Sequence, residues 1–122
     1  MVKVLTEQEL HNLGMNIIGK KLQKLGYEFV AINSKLKKHP QFVLYKKGEP
    51  TIFVLVKVSN NIQQPETHST IWLETFKEHA IKEHAKVWVA NIGLANSESV
   101  ELPVFEDQPY YVAFNDFEKI LK

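Results

Sequence analysis

The chain of 122 residues contains no cysteine. That excludes disulfides, thiolate-bound zinc, iron–sulfur clusters and a cysteine nucleophile. It also lacks an excess of either charge: fifteen basic and fourteen acidic side chains leave a net of +1. Such a balance generates no field that by itself argues for nucleic acid or a membrane surface. No apolar run approaches the length needed to cross a bilayer, and the start, MVKVLTEQEL, lacks the apolar core of a signal peptide. The expectation is a cytoplasmic protein with no membrane partner. What is present is ordinary: 44% apolar and 24% charged residues, in a length suited to one domain, 1–122, with a core of its own.

Periodicity places the first element. Thr6 and Glu9 form a capping box, each able to satisfy an amide left free at a helix start. Leu10, Leu13, Ile17, Ile18, Leu22 and Leu25 then recur at helical steps, and Gly26 supplies the stop. Three β-rich runs follow: YEFVAIN (27–33), QFVLYK (41–46) and TIFVLVKV (51–58). Separated by SKLKKHP (34–40) and the turn KGEP (47–50), they predict an antiparallel meander. Beyond a breaker-rich loop, a second helix is expected from about Ser69 to His84, with Ile71, Trp72, Phe76, Ala80 and Ile81 on its apolar side. KVWVANIG (86–93) reads as a fourth strand that ends at its glycine. Residues 94–109 read as a loop with a short extended piece at ELPVF, and YYVAF (110–114) as a last strand. Asn115 with Glu118 suggests a short terminal helix. The order α-β-β-β-α-β-(β)-α fits an α/β fold with a mixed sheet between helices.

That order resembles the PD-(D/E)XK nuclease superfamily, and more narrowly its Holliday-junction-resolvase-like and Mrr-like members. The family's first helix carries G-E-x-x-A-x-x-x-L-x-x-x-G-Y. GMNIIGKKLQKLGY keeps Gly14, Leu22, Gly26 and Tyr27 at the same spacing. The resemblance runs over residues 10 to 58 and implies a restriction-endonuclease-like core. In the family, carboxylates hold a divalent cation, usually magnesium, which activates water for attack on a phosphate, assisted by a lysine. Here the helix-one glutamate position is Met15. The strand-two aspartate falls at Phe42, or at Gln41 if the proline–aspartate pair is set on PQ. The strand-three E-x-K is LVK, so the glutamate is Leu55 and only Lys57 survives. The resemblance therefore implies lost catalysis, no cofactor and no metal. Met15, Phe42 and Leu55 are expected to pack together as a filled-in metal site beside the Lys57 stem.

Lys57 shares a strand face with Phe53 and Leu55. An unpaired buried ammonium would cost several kcal/mol, so a stem packed on its neighbours with the amine at water is favoured over catalysis. Lys35, Lys37, Lys38 and His39, with Lys46 and Lys47, could touch phosphates, although a solvated loop is the simpler reading. His79 and His84 lie about 140° apart around a helix and cannot share a metal as an i, i+4 pair could. All five histidines, His11, His39 and His68 included, read as surface or boundary residues. Glu74 and Glu78 could mimic migrated acids, but Glu78 paired to Lys82 is the expectation. Trp72, Trp88, Phe76 and Tyr110 read as core aromatics. Three functions stay open: an inactive protein-interaction or structural module, possibly homodimeric; a non-cleaving nucleic-acid binder using 35–47; and a nuclease with acids recruited from helix two.

Overall fold

The computed structural model describes residues 3–33, 40–60, 70–99 and 101–121. Thr6 caps the first helix, α1 (Glu7–Lys24): its hydroxyl accepts from the Glu9 amide at 3.1 Å while its own amide donates to Glu9 Oε1 at 3.0 Å. The face turned inward is His11, Gly14, Met15, Ile18 and Leu22. Leu10, Leu13 and Ile17 are half-buried beside it, and Leu25, expected on the apolar face, is exposed at the C-cap. Gly26 follows at φ +91°, a backbone angle that side-chain-bearing residues avoid. The Lys46 ammonium donates to the Leu25 carbonyl at 2.9 Å, satisfying one oxygen left free at the helix end.

The strands are β1 (Glu28–Ile32), β2 (Phe42–Tyr45), β3 (Ile52–Ser59), β4 (Lys86–Asn96), β5 (Tyr110–Ala113) and β6 (Glu118–Leu121), with α2 (Thr70–Lys82) between β3 and β4. They form one sheet in the order β1-β2-β3-β4-β5, with β6 also paired to β4. β1, β2 and β3 are the antiparallel meander that the turn residues call for. β3 and β4 run parallel through the α2 crossover, so the sheet is mixed. Alternation along β3 divides the core. Ile52, Val54 and Val56 pack under α1 with Phe42, Leu44, Trp88, Ala90 and Ile92. Phe53 and Leu55 face the other way, among Ala80, Val87 and Val89, where Leu73 and Phe76 of α2 cover them. The architecture is an α/β fold, a mixed central sheet flanked by a helix on each face. Among the described residues no helix is long and apolar enough to cross a membrane.

Four expectations are corrected. β4 does not stop at Gly93: it continues to Asn96, because Gly93 pairs with Ser59 on one side and Ala113 on the other. Pairing on both edges outweighs glycine's weak strand preference. The terminal helix does not form. Asp116 takes the Phe117 amide at 2.7 Å, and Glu118–Leu121 pair with Val87–Val89, burying Ile120 and Leu121 against the α2-side core. A helix of one turn cannot compete with that pairing and burial. ELPVF yields only an isolated bridge, Phe105 to Val4. In α2, Ala80 is buried and Phe76 packs on the core, but Ile81 is 59% exposed. The side chains of Ile71 and Trp72 lie outside the described set.

Candidate functional site

Gln41 is the residue that organises the middle of the sheet. It is fully buried, although polar. Its amide donates to the Val54 carbonyl at 3.0 Å, and its carbonyl accepts from the Asn33 amide at 2.8 Å. Its side-chain Oε1 then accepts from the Val56 amide at 2.8 Å. Strand amides point in the plane of the sheet, so the glutamine side chain occupies the place where a further β2 residue would pair. The β2–β3 ladder runs from Leu44↔Ile52 to Phe42↔Val54, and Gln41 extends it by one hydrogen bond. Beyond Val56, among the described residues, β3 is paired on one side only, to β4.

The expected cluster of Met15, Phe42 and Leu55 is not found. Met15 and Phe42 lie in the core under α1 and line a shared groove of about 450 Å³ with Phe29 and Ile32. Leu55 faces α2. The direct register Phe42↔Val54 dictates this, since Leu55 is one residue along and therefore on the opposite face. The alternative assignment, with Gln41 at the aspartate position, is the one that puts a polar side chain against β3. Its carbonyl oxygen already accepts from Val56, and Met15, Phe42 and Leu55 offer no oxygen donor. This donor set does not fit a hard divalent cation, which needs six or more oxygens. Among the described residues no three histidine, aspartate or glutamate side chains gather as a metal site.

Lys57 lies beyond the part of β3 that pairs with β2 among the described residues. It is half-buried and stands opposite Asn91 of β4, whose buried Oδ1 has no hydrogen-bond partner among the described residues. Lys57, Val58, Ser59 and Asn60 together form one wall of a cavity of about 540 Å³. Thr6, the cap of α1, with Glu7 and Leu10 of its first turn, forms the facing wall, and Val4, Leu5, Pro103 and Val104 close the side. Each wall has a local cause. The capping box fixes where α1 begins. Lys3, 3.1 Å from Glu9, joins the Thr6 amide there, and the two hold the Glu9 carboxyl below its usual range, the amide contributing most. Leu5 donates its amide to the Val104 carbonyl at 3.1 Å. Asn96, buried at the end of β4, pins the segment that leads to Val104: its amide group donates to the Pro103 carbonyl at 2.9 Å, and its Oδ1 accepts from Glu98 at 2.8 Å.

The other candidates fare differently. Lys46 is engaged by the Leu25 carbonyl and sits 4.9 Å from the Tyr27 ring centre. Burial of that tyrosine, with Glu49 adding a smaller effect, raises the pKa of its hydroxyl. Lys47 is an exposed turn residue. Lys35, Lys37, Lys38, His39 and His68 lie outside the described residues. Glu74 and Glu78 are exposed on α2. Glu74 pairs with Lys77 at 3.3 Å, and the expected Glu78–Lys82 pair is not formed. His11 is not a surface residue: it is 3% exposed on the inner face of α1. Trp88 is a core residue, and Tyr110 packs against the core under α1. The pattern reading missed the cavity: it gives strands of six and eight residues, whereas β2 has four and β3 eight, so that β3 runs on past β2 among the described residues.

A family model covers most of the chain, although Val4, Leu5, Thr6 and Glu7 of the cavity precede it. The chain belongs to the family described as a domain of unknown function, DUF8840. The match spans residues 8–120, and so includes α1 almost entire and every strand except the last residue of β6. No curated protein and no solved structure matches the chain.

Proposed function

We propose that the chain is a non-catalytic domain on a restriction-endonuclease-like core, acting as a protein-interaction module. The helix, meander, crossover helix and parallel strand follow one another as that core requires. One observation carries the functional half of the reading. Gln41, the aspartate position if the proline–aspartate pair of the resemblance is set on PQ rather than at Phe42, is a buried amide whose oxygen completes a strand ladder. A residue committed in this way supports the fold and leaves no ligand for a cation. The nucleic-acid reading loses Lys46 to the end of α1.

The test combines cleavage with binding. The full chain is incubated with magnesium or manganese and with single-stranded, duplex and branched DNA and RNA, and binding to each is titrated against salt. The expected outcome is no cleavage and no binding that falls steeply with salt. Metal-dependent cleavage abolished by Lys57→Ala would overturn the reading. Tight binding with a salt slope of several ions would replace it with the nucleic-acid alternative.

A further inference from the structure

Between the first half of α1 and the turn at 105–108 lies a groove of about 410 Å³. Its floor is apolar: Leu5, Leu13 and Tyr110 pack on the core beneath, and the half-buried Phe105 lines it with them. Among the described residues, the charges that line it are all acidic, Glu9, Glu106 and Asp107. Lys3 pairs with Glu9 at 3.1 Å and feels Glu106 more weakly. Glu106 and Asp107 are exposed, and the turn that carries them is tied down. The Glu106 amide donates to the Lys3 carbonyl at 2.7 Å, Phe105 bridges to Val4, and Asp107 takes φ +60°. Aspartate and asparagine tolerate that left-handed angle better than most side-chain-bearing residues. Two carboxylates are thus presented at fixed places beside an apolar trough.

We infer that this groove docks a peptide segment carrying arginine or lysine beside an apolar side chain. The inference rests on the interaction-module reading and names its surface. A long basic side chain is itself half apolar: its methylene stem lies on Leu13 and Tyr110 while the charged head meets Glu106 and Asp107. Arginine gains further by stacking on the Tyr110 or Phe105 ring. The neighbouring apolar side chain takes the rest of the floor, and the volume is that of a ligand cleft. Charge selects among occupants. The phosphates of a nucleic acid or the carboxylates of an acidic segment would meet Glu106 and Asp107 and be repelled. The groove beside Met15 and Phe42 makes no such selection, since Lys20 is its one charge among the described residues.

The test is an NMR titration of the isotope-labelled full chain with a capped hexapeptide alternating leucine and arginine. A second hexapeptide alternates leucine and glutamate. The expected result is saturable shifts at the amides of Leu13, Asn16 and Tyr110. The arginine peptide should bind about tenfold tighter than the glutamate peptide, the size of two partly exposed charge contacts. Glu106→Gln and Asp107→Asn should each narrow that ratio about threefold, and together abolish it. Asparagine keeps the left-handed angle at 107, so the dispersed spectrum of a folded chain should persist. Absence of saturable shifts at Leu13 and Tyr110, or a ratio unchanged in the double variant, overturns the inference. Capped arginine alone binding as tightly as the hexapeptide overturns it in favour of a small-cation site. Binding of the arginine peptide at another surface overturns it too, yet leaves an interaction module standing. Metal-dependent cleavage by the same chain sinks the interaction-module reading, and with it the inference that rests on it.

Discussion

The two halves of β3 are neighbours in one strand and live in different surroundings. From Ile52 to Val56 every residue is buried, with β2 or the Gln41 side chain on one edge, β4 on the other, and a helix over each face. From Lys57 to Ser59 every residue is half-buried, and among the described residues β4 is the one strand paired with them. The residue types follow the change: aliphatic and aromatic in the first half, lysine and serine entering in the second. The lysine in this apolar strand marks where, among the described residues, β3 runs past its pairing with β2. No remnant chemistry is needed to explain it.

The largest expected effect lies in the closed half. Leu55→Glu should destabilise the fold by about 4 kcal/mol or more near pH 8, from lost packing and a carboxylate buried among Phe53, Val87 and Val89. Burial raises the folded-state pKa of such a carboxylate above its unfolded value. The penalty is then full above the folded pKa and shrinks as pH falls through it, so denaturant titrations should show partial recovery near pH 5. If Lys57, two residues along on the same face, captures the carboxylate instead, the pKa falls and acid weakens the fold further. A variant as stable as wild type at both pH values would place position 55 outside the core.

Next in size is the junction between the halves. Gln41→Leu keeps the bulk but leaves the Val56 amide without its acceptor, and should cost about 1–3 kcal/mol in a denaturant titration. A smaller loss comes from the helix above. A Cβ at Gly14 would overlap Val58 Cγ2 and crowd Ile92. Gly14→Ala should therefore cost about 1 kcal/mol net, since overpacking is partly offset by better helix propensity. The cost should largely vanish in the Val58→Ala background, and an additive double mutant would mean that α1 does not rest on β3 there. Beyond Val56, Lys57→Met should change stability by less than about 0.5 kcal/mol, as expected of a half-buried side chain outside the core.

The halves differ in how legible they are. The capping box, the α1 stop at Gly26, the meander and the second helix are local signals, and the structure carries all of them. Gly93 and Glu118 were misread because their strand pairings join residues far apart in the chain. The site was misread for a related reason. The register between β2 and β3 decides whether Phe42 or Gln41 shares a side with β3's outward residues, and a shift of one residue exchanges the faces. His11 reads as a surface or boundary residue because an isolated histidine on a helix has no periodic signature, yet the helix turns it inward. Lys57 was placed correctly near a strand end, whereas the cavity beside it requires the N-terminal segment and Val104 to come together in space.

Residue-resolved amide exchange on the unliganded chain tests the division of β3 most directly. The account predicts that Val54 and Val56 exchange at the slow rate of the global core, Val56 through its bond to Gln41. Val58 should exchange far faster than either, with an abrupt step between positions 56 and 58. Protection at Val58 equal to that at Val56 would mean that the edge is already paired, and the open half described here would not exist.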